Sequence, residues 1–221
     1  MKHFALIPAK KNSTRCQNKN WREFVNGMSL VDFSISRIPG GFFNKVIVST
    51  DNIEYNPPEG IEKHLRNKSL SGRDSHVEDL IKLIIREYNI LAEDYIWMLN
   101  PTSPFRTKED YRAIARIIDE EMPNSVISAV KIHPFIWKDN DPMFETKGNR
   151  KHTQDFIEKF FVENGMFFAA KASHFIEYGS WFGKDVTLYK QYRLWCFMDI
   201  DTEDDFLMAQ KVAETFFSEV K

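Results

Sequence analysis

The chain of 221 residues is long enough for one large domain with a continuous apolar core, and it is too short for two full domains. Its formal net charge of -2 excludes the broad cationic surface by which proteins bind duplex nucleic acid. No apolar run approaches the roughly 18 residues that indicate a membrane-spanning helix. Cys16 and Cys196 form neither a CxxC metal pair nor a disulfide framework. We therefore expect a cytoplasmic protein without nucleic-acid or membrane partners.

Short apolar runs alternate with helical patterns along the chain, which is typical of parallel strands joined by crossover helices. The pattern predicts an α/β fold with a Rossmann-like, mostly parallel sheet flanked by helices. The predicted strands are residues 3–7, 45–49, 95–99 and 125–130. Ligands of such sheets bind beyond the carboxyl ends of the strands, so the segments that follow these strands are the candidate site.

Two stretches, residues 77–88 and 111–118, carry apolar side chains at helical spacing and are predicted to be helices facing the core. Capping boxes that open helices are formed by Thr107 with Asp110 and by Thr202 with Asp205. From about residue 132 to residue 160 the pattern weakens. We predict one domain over residues 1–221, with residues 132–160 as an excursion that serves as a lid or a dimer arm.

The loop after the first strand combines the cations Lys10, Arg15 and Lys19 with the hydroxyls of Ser13 and Thr14. A triphosphate needs cations, hydroxyl donors and backbone amides that converge on a small volume, and a loop at a strand end supplies them together. The loop matches neither the GxxxxGK[ST] P-loop nor the GxGxxG dinucleotide motif. A solvated basic loop remains the alternative interpretation.

Near the carboxyl end, Asp199 and Asp201 flank Ile200 in what we predict to be a strand end, where alternation points both carboxylates to one face. Mg²⁺ binds one or two carboxylates together with phosphate oxygens and water, so this pair is a candidate Mg²⁺ or Mn²⁺ site. In the alternative, Asp201 supports the amino end of the following helix and Asp199 is solvated.

A third polar segment, residues 100–106, follows the predicted strand 95–99. Its Asn100 is suited to hydrogen-bond a base or a sugar, and Arg106 is suited to pair with a carboxylate or phosphate. In the alternative, Arg106 binds backbone carbonyls and holds the loop in place.

Three segments together resemble the acylneuraminate cytidylyltransferase family: IPAKKNSTRCQNKN at residues 7–20, PTSPFR at residues 101–106 and MDIDT at residues 198–202. They occur in the order that the family has. The resemblance implies a homodimeric enzyme that transfers CMP from CTP to the anomeric hydroxyl of a nine-carbon 2-keto acidic sugar and releases pyrophosphate. It also implies that Lys19, Arg15, Asp199 and Asp201 act in catalysis, the two aspartates as metal ligands.

The family pattern assigns further residues to the two substrates. The residues implied to bind the nucleotide are Ala9, Lys10, Asn12, Ser13, Arg15, Lys19, Asn20 and Ser75. Those implied to bind the sugar are Asn100, Thr102, Ser103, Arg106 and Asn164. Two of these have a local alternative, because Ser75 with Glu78 satisfies a capping box and Asn164-Gly165 is a hairpin-turn signal.

The chain departs from the family at Lys10, Asn12, Asn100 and Val162. Lys10 stands for an arginine and lacks its bidentate geometry, while Val162 and Arg150 leave the cation for the sugar carboxylate unassigned. Two other hypotheses therefore stay open. One is a glycosyltransferase whose DxD metal motif is residues 199–201, and the other is a relative that binds nucleotides without turnover.

Overall fold

The protein is described from a computed structural model, which covers residues 1–67, 70, 72, 75–144, 146, 152–155 and 159–217. Its strands are β1 (His3–Ala9), β2 (Glu23–Val25), β3 (Met28–Ser29), β4 (Lys45–Thr50), β5 (Ile61–Leu65), β6 (Tyr95–Met98), β7 (Ser125–Ile132), β8 (Trp137–Lys138), β9 (Asp141–Pro142), β10 (Phe160–Lys171) and β11 (Val186–Gln191). Its α-helices are α1 (Leu30–Ser36), α2 (Val77–Glu87), α3 (Lys108–Glu121), α4 (Ala172–Tyr178) and α5 (Glu203–Phe216).

Seven strands form one sheet in the order β11-β7-β10-β6-β1-β4-β5. All neighbouring pairs are parallel except the two that involve β10. The predicted mostly parallel α/β sheet is therefore confirmed, as are its four predicted strands. From β1 the chain moves outward to β4 and β5, and then returns to place β6 on the other side of β1. This reversal creates a crevice between β1 and β6, where open α/β sheets bind ligands.

Helices cover both faces of the sheet and bury its alternating apolar side chains. On one face α1, α3 and α5 pack on a core that includes Ala5 and Ile7 of β1. On the other face α2 and α4 pack on Phe4 and Leu6. Successive side chains of β1 thus pack into opposite cores, because side chains alternate between the two faces of a strand.

Both predicted capping boxes are present, and they fix where α3 and α5 begin. The Thr107 hydroxyl accepts from the backbone N–H of Asp110 while that carboxylate accepts from the backbone of Thr107. Thr202 and Asp205 repeat the arrangement at α5. The interpretation of Ser75 with Glu78 as a third capping box is wrong. The residue before α2 is His76, which makes no side-chain cap bond, and Ser75 instead bonds the carbonyl of Gly72.

The long antiparallel strand β10 was not predicted. It contains Asn164-Gly165, so the hairpin-turn interpretation of this pair is wrong. The pair lies within an irregularity of the β10–β7 register between Glu163 and Phe168. Gly165 has a φ of +70°, which favours glycine, and an added Cβ would lie 3.0 Å from the Ser103 hydroxyl.

The segment containing Asp199 and Asp201 is irregular, so its prediction as a strand end is also wrong. It follows a 3₁₀ turn over Leu194–Phe197 and leads directly into the cap of α5. Its backbone is held from outside, since Ile200 N–H donates to the carbonyl of Thr102 over 2.8 Å.

In the predicted excursion the structure describes the small β8–β9 hairpin and a 3₁₀ turn over Thr153–Asp155. Rings of Phe135 and Trp137 pack edge-on against Phe144 there. Arg150 lies outside the described residues. Within the described chain, no helix combines the length and apolar character needed to cross a bilayer. The division into one domain with an excursion stays a prediction.

Candidate active site

The crevice between β1 and β6 opens into a main cleft with a volume of about 1010 Å³. Two of its walls are the loop after β1 and the segment after β6. Seven of the eight residues that the resemblance implied for the nucleotide line this cleft: Lys10, Asn12, Ser13, Arg15, Lys19, Asn20 and Ser75. The eighth, Ala9, is the buried last residue of β1, directly before this loop.

The loop after β1, residues 10–20, is here called the basic loop, and residues 198–202 are called the acidic segment. The two meet in the main cleft. Arg15 Nη2 lies 2.9 Å from Asp201 Oδ1, and Lys19 Nζ lies 3.1 Å from the same oxygen. Lys19 also donates to the carbonyl of Ile200. Its side chain is only 12% exposed, whereas that of Arg15 is 68% exposed. Lys19 is therefore a fixed cation at the base of the loop, while Arg15 reaches inward from solvent.

Backbone contacts hold the basic loop in shape. The carbonyl of Lys10 accepts from Asn20 Nδ2 over 3.1 Å and from Trp21 Nε1 over 2.9 Å. At the start of the loop, Lys11 N–H donates to Asp51 over 2.6 Å. A positive φ occurs at Asn18 (51°), not at Asn12. The loop is thus tied at both ends, with Asn12 and Ser13 on its cleft-facing stretch.

Arg66 is a cation of the main cleft that the sequence interpretation missed. It follows β5, a strand that was not predicted, so no pattern placed it at the carboxyl edge of the sheet. Its guanidinium donates to the carbonyl of Ser49 over 2.8 Å and to that residue's hydroxyl over 3.3 Å. Burial lowers the pKa of Arg66, and burial together with Arg66 lowers the pKa of Lys10.

A smaller side cavity of about 420 Å³ adjoins the main cleft, and Val77 and Asn100 line both spaces. Asp199 lines the side cavity, whereas Asp201 lines the main cleft. The two carboxylates therefore do not share one strand face, and a single metal site for both stays a prediction. The junction of the two spaces is marked by Val77 and Asn100. The other side-cavity residues are Glu78, Met98, Val130, Val162, Glu163, Asn164, Gly165, Phe168, Trp181, Phe182 and Phe197.

The segment after β6 connects the two spaces. Thr102, implied for the sugar, lines the main cleft and not the side cavity. Ser103 is 1% exposed, and its hydroxyl lies 3.5 Å from Asp199 Oδ1. Asn100 donates through Nδ2 to the carbonyl of Gly165 over 3.0 Å. Of these residues, Asn100 is the one that contacts both spaces.

Arg106 is completely buried and has the loop-holding role that was the alternative interpretation. Its Nε donates to the carbonyl of Met166 over 2.8 Å, and Nη2 donates to the carbonyl of Asn100 over 2.6 Å. Burial lowers the pKa of Arg106 to about 10. In this conformation the guanidinium supports Asn100 from behind and does not face either space.

Asn164 lines the side cavity, but its amide is engaged within the protein. Nδ2 donates to Gln191 Oε1 over 2.7 Å and to the carbonyl of Cys196 over 3.0 Å. Oδ1 accepts from the Ser128 hydroxyl over 2.6 Å. The implied sugar contact of Asn164 stays a prediction, and it would require the amide to exchange one of these partners.

The chemistry of Asp199 and Asp201 fits a hard divalent cation. Asp199 and Asp201 supply carboxylate oxygens, which Mg²⁺ prefers, and the Asp199 contact to Ser103 is long. In the part of the chain that the structure describes, no group of three or more His, Cys, Asp or Glu side chains could hold a metal. A site completed by phosphate oxygens and water needs only the two carboxylates.

The fold is an α/β nucleotidyltransferase fold. A family model described as Cytidylyltransferase matches residues 4–203, and the chain therefore belongs to the cytidylyltransferase family. It is 28% identical over 219 residues to N-acylneuraminate cytidylyltransferase A of Danio rerio, covering 94% of this chain and 50% of that protein. It is 24% identical over 193 residues to N-acylneuraminate cytidylyltransferase of Escherichia coli, covering 79% and 43%. The chain spans about half the length of the curated relatives it matches.

Solved structures agree on the fold. A CMP:2-keto-3-deoxy-manno-octonic acid synthetase complexed with CTP superposes with a TM-score of 0.63 at 11% identity, covering 97% of this chain and 99% of that one. The 2-C-methyl-D-erythritol 4-phosphate cytidylyltransferase of Francisella tularensis gives 0.61 at 13% identity, covering 96% and 99%. The family resemblance drawn from the sequence is thereby confirmed at the level of family and fold.

Proposed function

We propose that this chain transfers CMP from CTP to the anomeric hydroxyl of a nine-carbon 2-keto sugar acid and releases pyrophosphate. The observation that carries the proposal is the meeting of Arg15 and Lys19 with Asp201 in the main cleft, which adjoins the side cavity. That arrangement offers cations for a triphosphate in one space and room for an acceptor in the next. The family match and the names of the curated relatives support both halves of the reaction.

In the proposed step the sugar hydroxyl oxygen forms a bond to the α-phosphorus of CTP. The bond from that phosphorus to the bridging oxygen breaks, pyrophosphate leaves with the bonding electron pair, and the hydroxyl proton passes to water. Lys19 and Arg15 bind the phosphates and stabilise the charge that develops on the leaving group. Lys10 and Arg66 add positive charge along the same cleft. Positioning and electrostatics carry such a reaction, and no covalent enzyme intermediate is required.

A divalent cation, Mg²⁺ or Mn²⁺, is part of the proposal, with Asp199 and Asp201 as its ligands. It would supply charge neutralisation at the phosphates. Arg15 and Lys19 both pair with Asp201, which supports the proposal that these cations act beside the metal and the phosphates.

The side cavity is proposed to hold the sugar. Its polar side chains near Asn100 suit hydroxyl and amide groups, and its rings, including Phe168 and Trp181, suit the carbon skeleton and apolar substituents. Val162 is 44% exposed at this cavity and supplies no charge for the sugar carboxylate.

We infer that a second copy of the chain completes the site through residues 132–160, as the family resemblance implies. The two free, buried cysteines suit a reducing compartment, and we propose the cytoplasm.

The proposal is tested by incubating the purified protein with CTP, Mg²⁺ and a panel of 2-keto sugar acids while pyrophosphate is measured. Release that depends on both CTP and one of the sugars supports it. Hydrolysis or transfer from a preformed nucleotide sugar, without pyrophosphate release, would favour the DxD glycosyltransferase. Calorimetric binding of CTP with no turnover on any acidic sugar would identify a nucleotide-binding relative without activity.

A further inference from the structure

A chain of buried hydrogen bonds runs from the start of α3 to the side cavity through Asp110, Gln191 and Asn164. These residues are 1%, 4% and 9% exposed, respectively. Gln191 Nε2 donates to Asp110 Oδ1 over 3.3 Å, and Gln191 Oε1 accepts from Asn164 Nδ2 over 2.7 Å. Asn164 Oδ1 then accepts from the Ser128 hydroxyl over 2.6 Å. Only the last amide reaches the cavity wall.

The direction of this chain is set at Asp110. Its carboxylate accepts from the backbone and hydroxyl of Thr107 as part of the capping box, and from the Tyr189 hydroxyl over 2.8 Å. An acceptor at this point requires Gln191 to present its NH₂ group to Asp110 and its carbonyl to Asn164. Asn164 must then present its own NH₂ group to Gln191. If either amide flipped alone, its carbonyl oxygen would face another hydrogen-bond acceptor and a hydrogen bond would be lost.

The orientation of Asn164 in turn fixes the backbone around the junction. Its second amide hydrogen is donated to the carbonyl of Cys196 over 3.0 Å, three positions before Asp199. The next residue, Gly165, accepts from Asn100, which lines both spaces. The irregular part of β10 is thus the common support of the acidic segment and of the segment after β6.

We propose that Gln191 is a positioning residue for the side cavity, acting through Asn164 on the placement of Asp199 and Asn100. Gln191 itself lines neither space. The inference rests on the proposed function, because its consequence is a change in how the sugar is held during CMP transfer. Since a misplacement of about 1 Å at reacting groups costs roughly 100-fold in rate, a relay of this kind has a measurable effect.

The test is the steady-state kinetics of Gln191→Met, which keeps the shape of the side chain and removes both hydrogen bonds. We expect kcat/KM for the sugar to fall by about tenfold to 100-fold, while KM for CTP stays near the wild-type value. Gln210→Met is the matched control. Gln210 Nε2 donates to the carbonyl of Phe24 over 2.7 Å, and neither residue lines the cleft or the cavity.

A second variant, Ser128→Ala, removes the hydrogen bond on the other side of Asn164 and should give the same split between the two substrates. It keeps the inference testable if Gln191→Met does not fold. Unchanged kinetics, or an equal loss for both substrates that Gln210→Met reproduces, would overturn the inference. A wild-type protein that releases no pyrophosphate with any acidic sugar would instead overturn the proposed function, and the inference with it.

Discussion

Lys19 Nζ lies 3.1 Å from Asp201 Oδ1, although 182 positions separate the two residues in the chain. The contact joins the loop after the first strand to the segment that opens the last helix. Because Lys19 is largely buried and also bonds the carbonyl of Ile200, the contact has one defined geometry. The fold alone therefore brings together a cation and a carboxylate that we propose act on a metal-bound triphosphate.

Replacement of Lys19 by methionine should reduce kcat/KM for CTP by about 100-fold or more, because a fixed cation beside the leaving pyrophosphate is lost. Lys63→Met is the matched control. Lys63 also binds backbone carbonyls, those of Ile53 and Tyr55, and it does not line the main cleft. Steady-state pyrophosphate release measures both. A Lys19→Met protein as active as wild type would remove Lys19 from the mechanism.

Asp201→Asn should lower kcat by about 100-fold and raise the Mg²⁺ concentration needed for half-maximal rate, because the neutral amide is a weaker ligand for a hard cation. Asp204→Asn carries the same change three positions later, on the exposed first turn of α5, and should behave as wild type. Titration of activity with Mg²⁺ separates the two variants. Equal effects of both would argue against a metal at Asp201.

Arg106→Lys should destabilise the fold by about 2 kcal/mol or more, since one ammonium cannot reproduce two charged hydrogen bonds to separate carbonyls. Urea unfolding measures the loss. The remaining folded protein should bind CTP normally, because Arg106 does not line the main cleft. A variant of normal stability that has lost only its affinity for the sugar would restore the direct sugar contact predicted from the sequence.

The stability of the protein should fall as the pH is lowered below about 6.5. Burial lowers the pKa of His3, His64 and His174 in the folded state, while the unfolded chain has the ordinary value near 6.5. At lower pH the unfolded state therefore binds more protons, and unfolding is favoured. The free energy of unfolding in urea at pH 8 and pH 5.5 measures this, and His174→Leu should flatten the difference. An unchanged pH dependence in that variant would exclude His174 as a contributor.

The sequence predicted those parts of the fold that depend on residues close together in the chain. Four buried strands of the sheet show as apolar runs, and two helix starts show as capping boxes. The loop from Lys10 to Asn20 and the acidic pair were recognised through their resemblance to the family motifs, because residue types and spacing alone left a solvated loop and helix-end carboxylates as alternatives. Their approach to one another was implied by the family resemblance, since Asp199 and Asp201 lie in an irregular segment and not at a strand end.

What the sequence did not predict depends on long-range pairing. The strand β10 contains Asn164-Gly165, whose local preference is a turn. The residues on either side of this pair are held by pairing with β7 and, after it, with β6. The half-exposed β5 has no continuous apolar run, so Arg66 at its end went unnoticed. The loop-holding role of Arg106 likewise depends on Met166, 60 positions away.

The most direct test of the account is a crystal structure of the protein with CTP and Mg²⁺. We expect the triphosphate in the main cleft, in contact with Lys19 and Arg15, with the metal bound by Asp199 or Asp201 or both and by phosphate oxygens. A nucleotide bound elsewhere on the molecule, with Lys19 still paired to Asp201, would contradict it.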